Sequence, residues 1–296
     1  MGGNPTQFVL EKAFAEQNLT DWKLFTAEVA TEQVDEALKA CELLGIEGVM
    51  LLTDTLRSRV VHAPESVESS VIAEWCGRAS LLRRYKADKL AAEIPTSAEA
   101  TAVPPSPRWE ATYSVGSAIL QTLLPKDLSA QVELHCLVLG DGPTARGTIA
   151  ALASHSSSQI WWRIGENDNP LEDRCGPDLR ATLDLVIQAE RLKISSELPG
   201  ETDSGYDTIV LSDERYAREL EKWIAREQSP STRRMVDARC DVFSLSLQKL
   251  ACLEAIPTIR QTDWLGKMLE EDFLRLTGVA PNSVIVRDAL DEYLEL

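Results

Sequence analysis

The chain is short of basic charge, almost without histidine and free of long apolar runs, and each shortage removes a class of function. Lys and Arg number 30 against 47 Asp and Glu, so the 296 residues carry a formal net charge of −17. Contacts to nucleic acid or to an anionic membrane need Lys or Arg at each phosphate, and the summed field here repels polyanions. Neither is expected as the main partner, although backbone N–H groups at a helix start can bind a single phosphate whatever the net charge. The longest apolar runs, such as Gly48 to Leu52 and Leu134 to Leu139, fall far short of the roughly 20 residues that span a bilayer. The first residues, Met1 to Gln7, lack the basic and apolar regions of a secretory leader, so a cytoplasmic protein is expected. The three histidines, His62, His135 and His155, are isolated and none neighbours a G-x-S-x-G elbow, which argues against a Ser-His hydrolase. Six scattered cysteines without a C-x-x-C pair read as reduced thiols, and no metal site is expected.

What is present is an alternation of helical and strand patterns. Residues 6 to 17 have helical spacing with Thr6 as a cap, 22 to 29 fit a short strand, and Thr31 caps a helix that Gly45 closes. Gly48 to Leu52 is a continuously apolar strand, which would complete a βαβ unit. Residues 86 to 108 turn to Ala, Glu, Ser, Thr and Pro and read as a linker. Beyond them a helix from Val115 to Leu124 leads to a strand at 132–139, a Gly-containing turn and a helix through Ala153. Further strands fit 159–163, 208–211 and 234–237, and two helices flank Gly278. This rhythm predicts a parallel, doubly wound sheet. The acidic run Glu270-Glu271-Asp272 reads as a solvated helix face.

The most informative segment is Gly140-Asp141-Gly142-Pro143-Thr144-Ala145-Arg146, which fits G-x-G-x-x-A between a buried-strand pattern and a helix. In a dinucleotide-binding βαβ unit the first glycine allows the tight turn, the second admits the pyrophosphate, and the small third residue allows close packing of helix on strand. Gly140, Gly142 and Ala145 take those places, with Pro143 and Thr144 opening the helix. The alternative is a plain tight turn. Arg163, at the end of the next strand, stands where an NADP site carries the arginine for the 2′-phosphate; the alternative is a solvated strand-end charge.

Several segments, in order along nearly the whole chain, resemble the shikimate dehydrogenase family. They are Gly3-Asn4-Pro5, Leu44-Gly45-Ile46-Glu47-Gly48-Val49, Val138-Leu139-Gly140-Asp141-Gly142-Pro143-Thr144-Ala145-Arg146, and Asp263 through Gly278. The resemblance implies an α/β protein of two domains. Residues 1–107, completed by C-terminal helices at about 265–296, would form the substrate-type domain, and 108–264 a Rossmann-like NAD(P)-binding domain. It implies NADP, with NAD less favoured, as cofactor and a small molecule, a carboxylic acid, as ligand, with no metal. Asn4 and Thr6 are the counterparts of the family's carboxylate-binding serine pair.

The family's polar residues do not carry over. Leu56 falls at its acid/base lysine, Ala79 at its substrate-binding asparagine, Tyr113 at the aspartate that pairs with the lysine, and Met268 at its glutamine. Loss of lysine and aspartate together removes the proton transfer that accompanies hydride transfer. The resemblance therefore implies a shikimate dehydrogenase-like pseudoenzyme that still binds NADP. Two alternatives stay open: an NADP-dependent oxidoreductase for a different hydroxy or keto acid, with Arg57 and Tyr113 as substitute catalytic groups, and a non-enzymatic binding or regulatory module. Either a monomer or a homodimer is expected.

Overall fold

The structure, a computed structural model, describes residues 5–62, 66–85, 109–124, 132–166, 171, 175–200, 205–226, 234–239 and 256–295. Asn4 and the 86–108 linker lie outside the described residues. The helices are α1 (Pro5–Glu16), α2 (Val34–Leu43), α3 (Asp54–Val61), α4 (Val71–Cys76), α5 (Val115–Leu123), α6 (Pro143–Ser154), α7 (Pro177–Gln188), α8 (Ala217–Arg226), α9 (Gln261–Thr277) and α10 (Ser283–Glu295). The strands are β1 (Gly48–Met50), β2 (Val67–Ser69), β3 (Leu81–Arg84), β4 (Trp109–Thr112), β5 (Leu134–Leu139), β6 (Ser158–Arg163), β7 (Leu192–Ser195), β8 (Thr208–Leu211), β9 (Arg234–Asp237) and β10 (Thr258–Ile259). The chain divides into two compact units, residues 1–114 with 270–289 and residues 115–269 with 290–296.

The first unit is built on a four-stranded mixed sheet of order β1-β3-β4-β2, antiparallel except for the β2–β4 pair. Its expected opening βαβ is not formed, because residues 22–30 contain no strand. That segment has strand-like alternation, but two of its apolar side chains are packed without a ladder. Trp22 and Leu24 pack against a cluster of Leu10, Ala13, Phe14 and Phe273, and Trp22 stacks on Phe14 with centroids 5.5 Å apart. Two expected caps also differ. Helix α1 already starts at Pro5, leaving Thr6 inside its first turn, and Thr31 opens a short 3-10 turn instead of capping α2. Thr53 does cap a helix, its hydroxyl accepting from Leu56 N and so fixing the start of α3.

The second unit is a six-stranded, wholly parallel sheet of order β10-β9-β8-β5-β6-β7. Read from β7, this is the doubly wound arrangement in which the chain leaves β5 first to one side and then, from β8, to the other. The order reverses beside β5, and the carboxyl end of that strand is where such sheets hold their ligands. Leu134 and Cys136 to Leu139 are buried, as an interior parallel strand requires. Helices α5 and α6 meet through two glycines. A Cβ on Gly116 would lie 1.9 Å from the carbonyl oxygen of Gly147, so only glycine allows the backbones to touch there.

Candidate functional site

The turn after β5 is held from three sides. Gly140 has φ +131°, and an added Cβ would come within 2.3 Å of Ser212 Oγ, so the position requires glycine on both counts. Its N–H donates to Arg163 O at 3.1 Å, and the buried Trp162 indole donates to its carbonyl at 2.7 Å. Ser212, just past β8, donates from N and from Oγ to Leu139 O. The three strand ends at the switch point are thereby tied to one another. Gly142 is the N-cap of α6 with no side-chain cap, Pro143 occupies the first helical turn, and a Cβ at Gly142 would meet no atom within 4 Å. The first-turn N–H groups of a helix have no carbonyl partner within it and favour an anion. Ala145 is fully buried beneath this turn and Thr144 nearly so. Gly140, Gly142, Pro143, Thr144, Ala145 and Arg163 are thus brought to one end of one sheet.

The charged groups at that end are already engaged with one another. Arg215, past β8, reaches Asp141 of the turn at 2.8 Å and Asp213 at 2.6 Å. Burial raises the Asp213 carboxyl, but hydrogen bonds from Arg215 outweigh it and hold it below the usual carboxylate range. Arg163 is held by Glu219 of α8 through two hydrogen bonds, Nε to Oε1 at 3.2 Å and Nη2 to Oε2 at 3.1 Å. Tyr216 has a guanidinium against its ring from each arginine, Arg163 at 5.1 Å and Arg215 at 5.7 Å. Arg239, almost fully buried, pairs with Asp237 and Glu214. Glu219, Arg215 and Tyr216 escape a sequence reading because the pairings span 56 and 74 residues.

The residues that the family resemblance puts at the site divide between the two units: Leu56, Arg57, Ala79, Tyr113 and Thr6 belong to the first and Met268 to the second. Leu56 packs against the apolar cluster that contains Ala79, Leu51, Val60, Leu82 and Trp109. Tyr113 is buried, Met268 on α9 is buried, and Thr6 is half-buried. Arg57 donates from Nε to Leu51 O at 2.9 Å, with Asp54 3.7 Å from Nη1.

One group overturns an expectation. Asp272, read as part of a solvated acidic face, is fully buried. Its Oδ1 accepts from Ser114 Oγ at 2.8 Å, Ser114 Oγ lies 3.1 Å from Ser80 Oγ, and Oδ2 has no hydrogen-bond partner. Burial pushes its pKa up to about 7, with Glu271 adding to the rise and Ser114, Arg275 and Arg57 opposing it. Its spacing was the available signal: Asp272 follows Met268 by four residues and precedes Phe273, inside the apolar stripe of α9. Among the described residues no group of His, Cys, Asp and Glu is arranged to hold a metal ion, and no helix is long and apolar enough to cross a membrane.

No protein-family model and no curated protein matches the chain. Solved structures match over nearly its whole length. A shikimate dehydrogenase in complex with NADP+ gives a TM-score of 0.66 at 16% identity, covering 97% of this chain and 90% of its own. The ligand-free 5-ketofructose reductase of Gluconobacter sp. strain CHM43 gives 0.66 at 13% identity, with 99% and 95% covered. The shikimate 5-dehydrogenase from Listeria monocytogenes, in complex with shikimate and NAD, gives 0.63 at 12% identity, with 98% and 91% covered. The fold is that of the shikimate dehydrogenases.

Proposed function

We propose that this protein binds a nicotinamide dinucleotide at the turn after β5 and does not oxidise shikimate. The observation that carries the reading is the packing of Leu56 and Ala79 in one apolar cluster, at the positions where the family resemblance puts a lysine and an asparagine. An aliphatic side chain in an apolar cluster neither takes up the hydroxyl proton nor hydrogen-bonds a polyhydroxylated ring. The turn, by contrast, suits a pyrophosphate, with glycine required at 140 and open space beside Gly142. Bound there, the dinucleotide would supply hydride chemistry; the turn, itself held by Trp162 and Ser212 through the carbonyls of Gly140 and Leu139, would bind its pyrophosphate. In the first unit Thr6 retains a hydroxyl at a position matched to the family's carboxylate-binding pair, which makes a small carboxylic acid the ligand class we assign to it.

Calorimetric titration with NAD+ and NADP+, followed by an assay of shikimate and quinate oxidation, tests both halves. Dinucleotide binding without turnover is expected. Turnover at an enzymatic rate overturns the second half; absence of binding by either nucleotide overturns the first and leaves the non-enzymatic module.

A further inference from the structure

The ion pair between Arg163 and Glu219 bears on which dinucleotide the turn accepts, an inference that rests on the nucleotide-binding reading above. Arg163 ends β6 in register with Leu139, and its carbonyl receives the Gly140 N–H, so it stands directly beside the glycine turn. At this place a doubly wound sheet meets the adenosine ribose. An acidic residue there accepts hydrogen bonds from the ribose hydroxyls of NAD, and an arginine accommodates the 2′-phosphate of NADP. By residue type alone Arg163 selects NADP. Its guanidinium is not available for that role. Both oxygens of Glu219 are taken in a two-point pair, Nη1 donates to Ile164 O, the guanidinium lies against Tyr216, and only 14% of the side chain is exposed.

Glu219 is the more exposed partner, at 39%, so the pair shows solvent a carboxylate in front of a covered cation. The surrounding charges point the same way. Glu166 is exposed three residues after Arg163, and Arg215 is neutralised by Asp141 and Asp213. A carboxylate accepts the two O–H groups of an unmodified ribose and repels a phosphate carrying up to two negative charges. We propose that Glu219, by occupying Arg163 and presenting its own carboxylate, makes the adenosine end of the site select the 2′,3′-diol of NAD over the 2′-phosphate of NADP. Glu219 is then a specificity-determining residue, and the strand-end arginine acts to position it.

The test is calorimetric titration of the full chain with NAD+ and with NADP+, for wild type, Glu219→Gln and Glu219→Asp, with thermal melting of each to verify folding. Wild type is expected to bind NAD+ about tenfold or more tighter than NADP+, the factor that one charge-assisted hydrogen bond represents. Glu219→Gln removes the charge and weakens the hold on Arg163, so NAD+ affinity should fall up to about tenfold with the loss of the charge-assisted hydrogen bond, and NADP+ affinity should rise. Glu219→Asp keeps the charge and should keep the wild-type preference. Tighter binding of NADP+ than of NAD+ by wild type, or an unchanged preference in Glu219→Gln, overturns this inference and leaves the nucleotide reading standing. No binding of either nucleotide by any of the three proteins overturns both.

Discussion

The hydroxyl of Ser114 donates a 2.8 Å hydrogen bond to Oδ1 of Asp272, joining the chain just past β4 to α9 across 158 residues of sequence. The other carboxylate oxygen is buried without a partner, and Ser80 backs the Ser114 hydroxyl at 3.1 Å. Protonated, the carboxyl suits this site; ionised, it places a charge where water does not reach.

The pH dependence follows from that raised pKa. The unfolded chain titrates Asp272 near the ordinary carboxyl value of about 3.9, the folded chain near 7, so between these values the folded state binds more protons. Stability is favoured below the unfolded value, falls as pH rises through the window, and is lowest above the folded value. The full difference is on the order of 4 kcal/mol by linkage. Thermal melts at pH 5, 6, 7 and 8 should show the wild-type midpoint declining, and Asp272→Asn should flatten that decline. Parallel curves for the two proteins would show that Asp272 does not titrate in this range.

Replacing Leu56 by lysine restores the family's residue but not its surroundings. The lysine would replace a half-buried leucine packed against Ala79, Leu51, Val60 and Leu82, at a cost of up to about 1–3 kcal/mol for a polar group without a partner. The expected outcome is a lower urea midpoint and no shikimate oxidation, read by denaturation and by an NADPH absorbance assay. Activity in Leu56→Lys alone would mean that the rest of the site is intact.

How much of this was legible depends on whether the signal was local. The second unit was readable because its interior parallel strands are mostly apolar runs: 134–139 and 208–211 stand out, 234–237 keeps only Met235 and Val236 between charges, and Gly140 to Ala145 follows the first of them directly. Strand β7, with Lys193 between Leu192 and Ile194, carries a weaker pattern and was missed. In the first unit residues 22–29 show the alternation of a strand, but Trp22 and Leu24 pack on Phe14 and its neighbours, Val29 packs on the cluster of Val34 and Leu38, and Phe25 is exposed. The charge state of the site was least legible. Arg163 reads as a free cation until Glu219, 56 residues on, is seen to hold it, and Asp272 reads as surface because its two acidic neighbours do.

The two glycines of the turn should respond differently to alanine. Gly140→Ala adds a Cβ 2.3 Å from Ser212 Oγ at a φ of +131°, and should destabilise the chain by about 1–3 kcal/mol. Gly142→Ala meets no atom within 4 Å, at φ −74°, and should cost at most about 1 kcal/mol as an N-cap change. Its methyl group would instead stand in the open space beside the helix start. We expect Gly142→Ala to melt close to wild type while losing most of its nucleotide affinity, measured by calorimetry.

Gly116→Ala tests the contact between α5 and α6. The new methyl carbon would sit 1.9 Å from Gly147 O and 2.1 Å from its carbonyl carbon, distances that only separation of the helices relieves. Overpacking of this kind costs about 1–3 kcal/mol or more. Soluble yield and melting temperature should both fall, whereas alanine at Gly45, whose Cβ meets nothing within 4 Å, should cost only the strain of its φ of +71°.

The adjacent tryptophans of β6 separate support of the turn from support of the core. Side chains alternate along a strand, so Trp161 and Trp162 face opposite sides of the sheet. Trp161 donates to Glu197 O at 3.0 Å and packs with Leu137, Ile209 and Leu220, whereas Trp162 donates to Gly140 O at 2.7 Å. Phenylalanine at either position removes a similar volume and one donor, but only at Trp162 is the carbonyl left behind on a buried residue, Gly140, at a cost of about 1–3 kcal/mol; Glu197 is exposed. Both variants should melt lower, Trp162→Phe by more. Only Trp162→Phe frees the carbonyl of the residue that opens the glycine turn, so only it should weaken dinucleotide binding, by several-fold at matched stability relative to Trp161→Phe. Equal affinities in the two variants would show that the indole of Trp162 supports the sheet and not the turn.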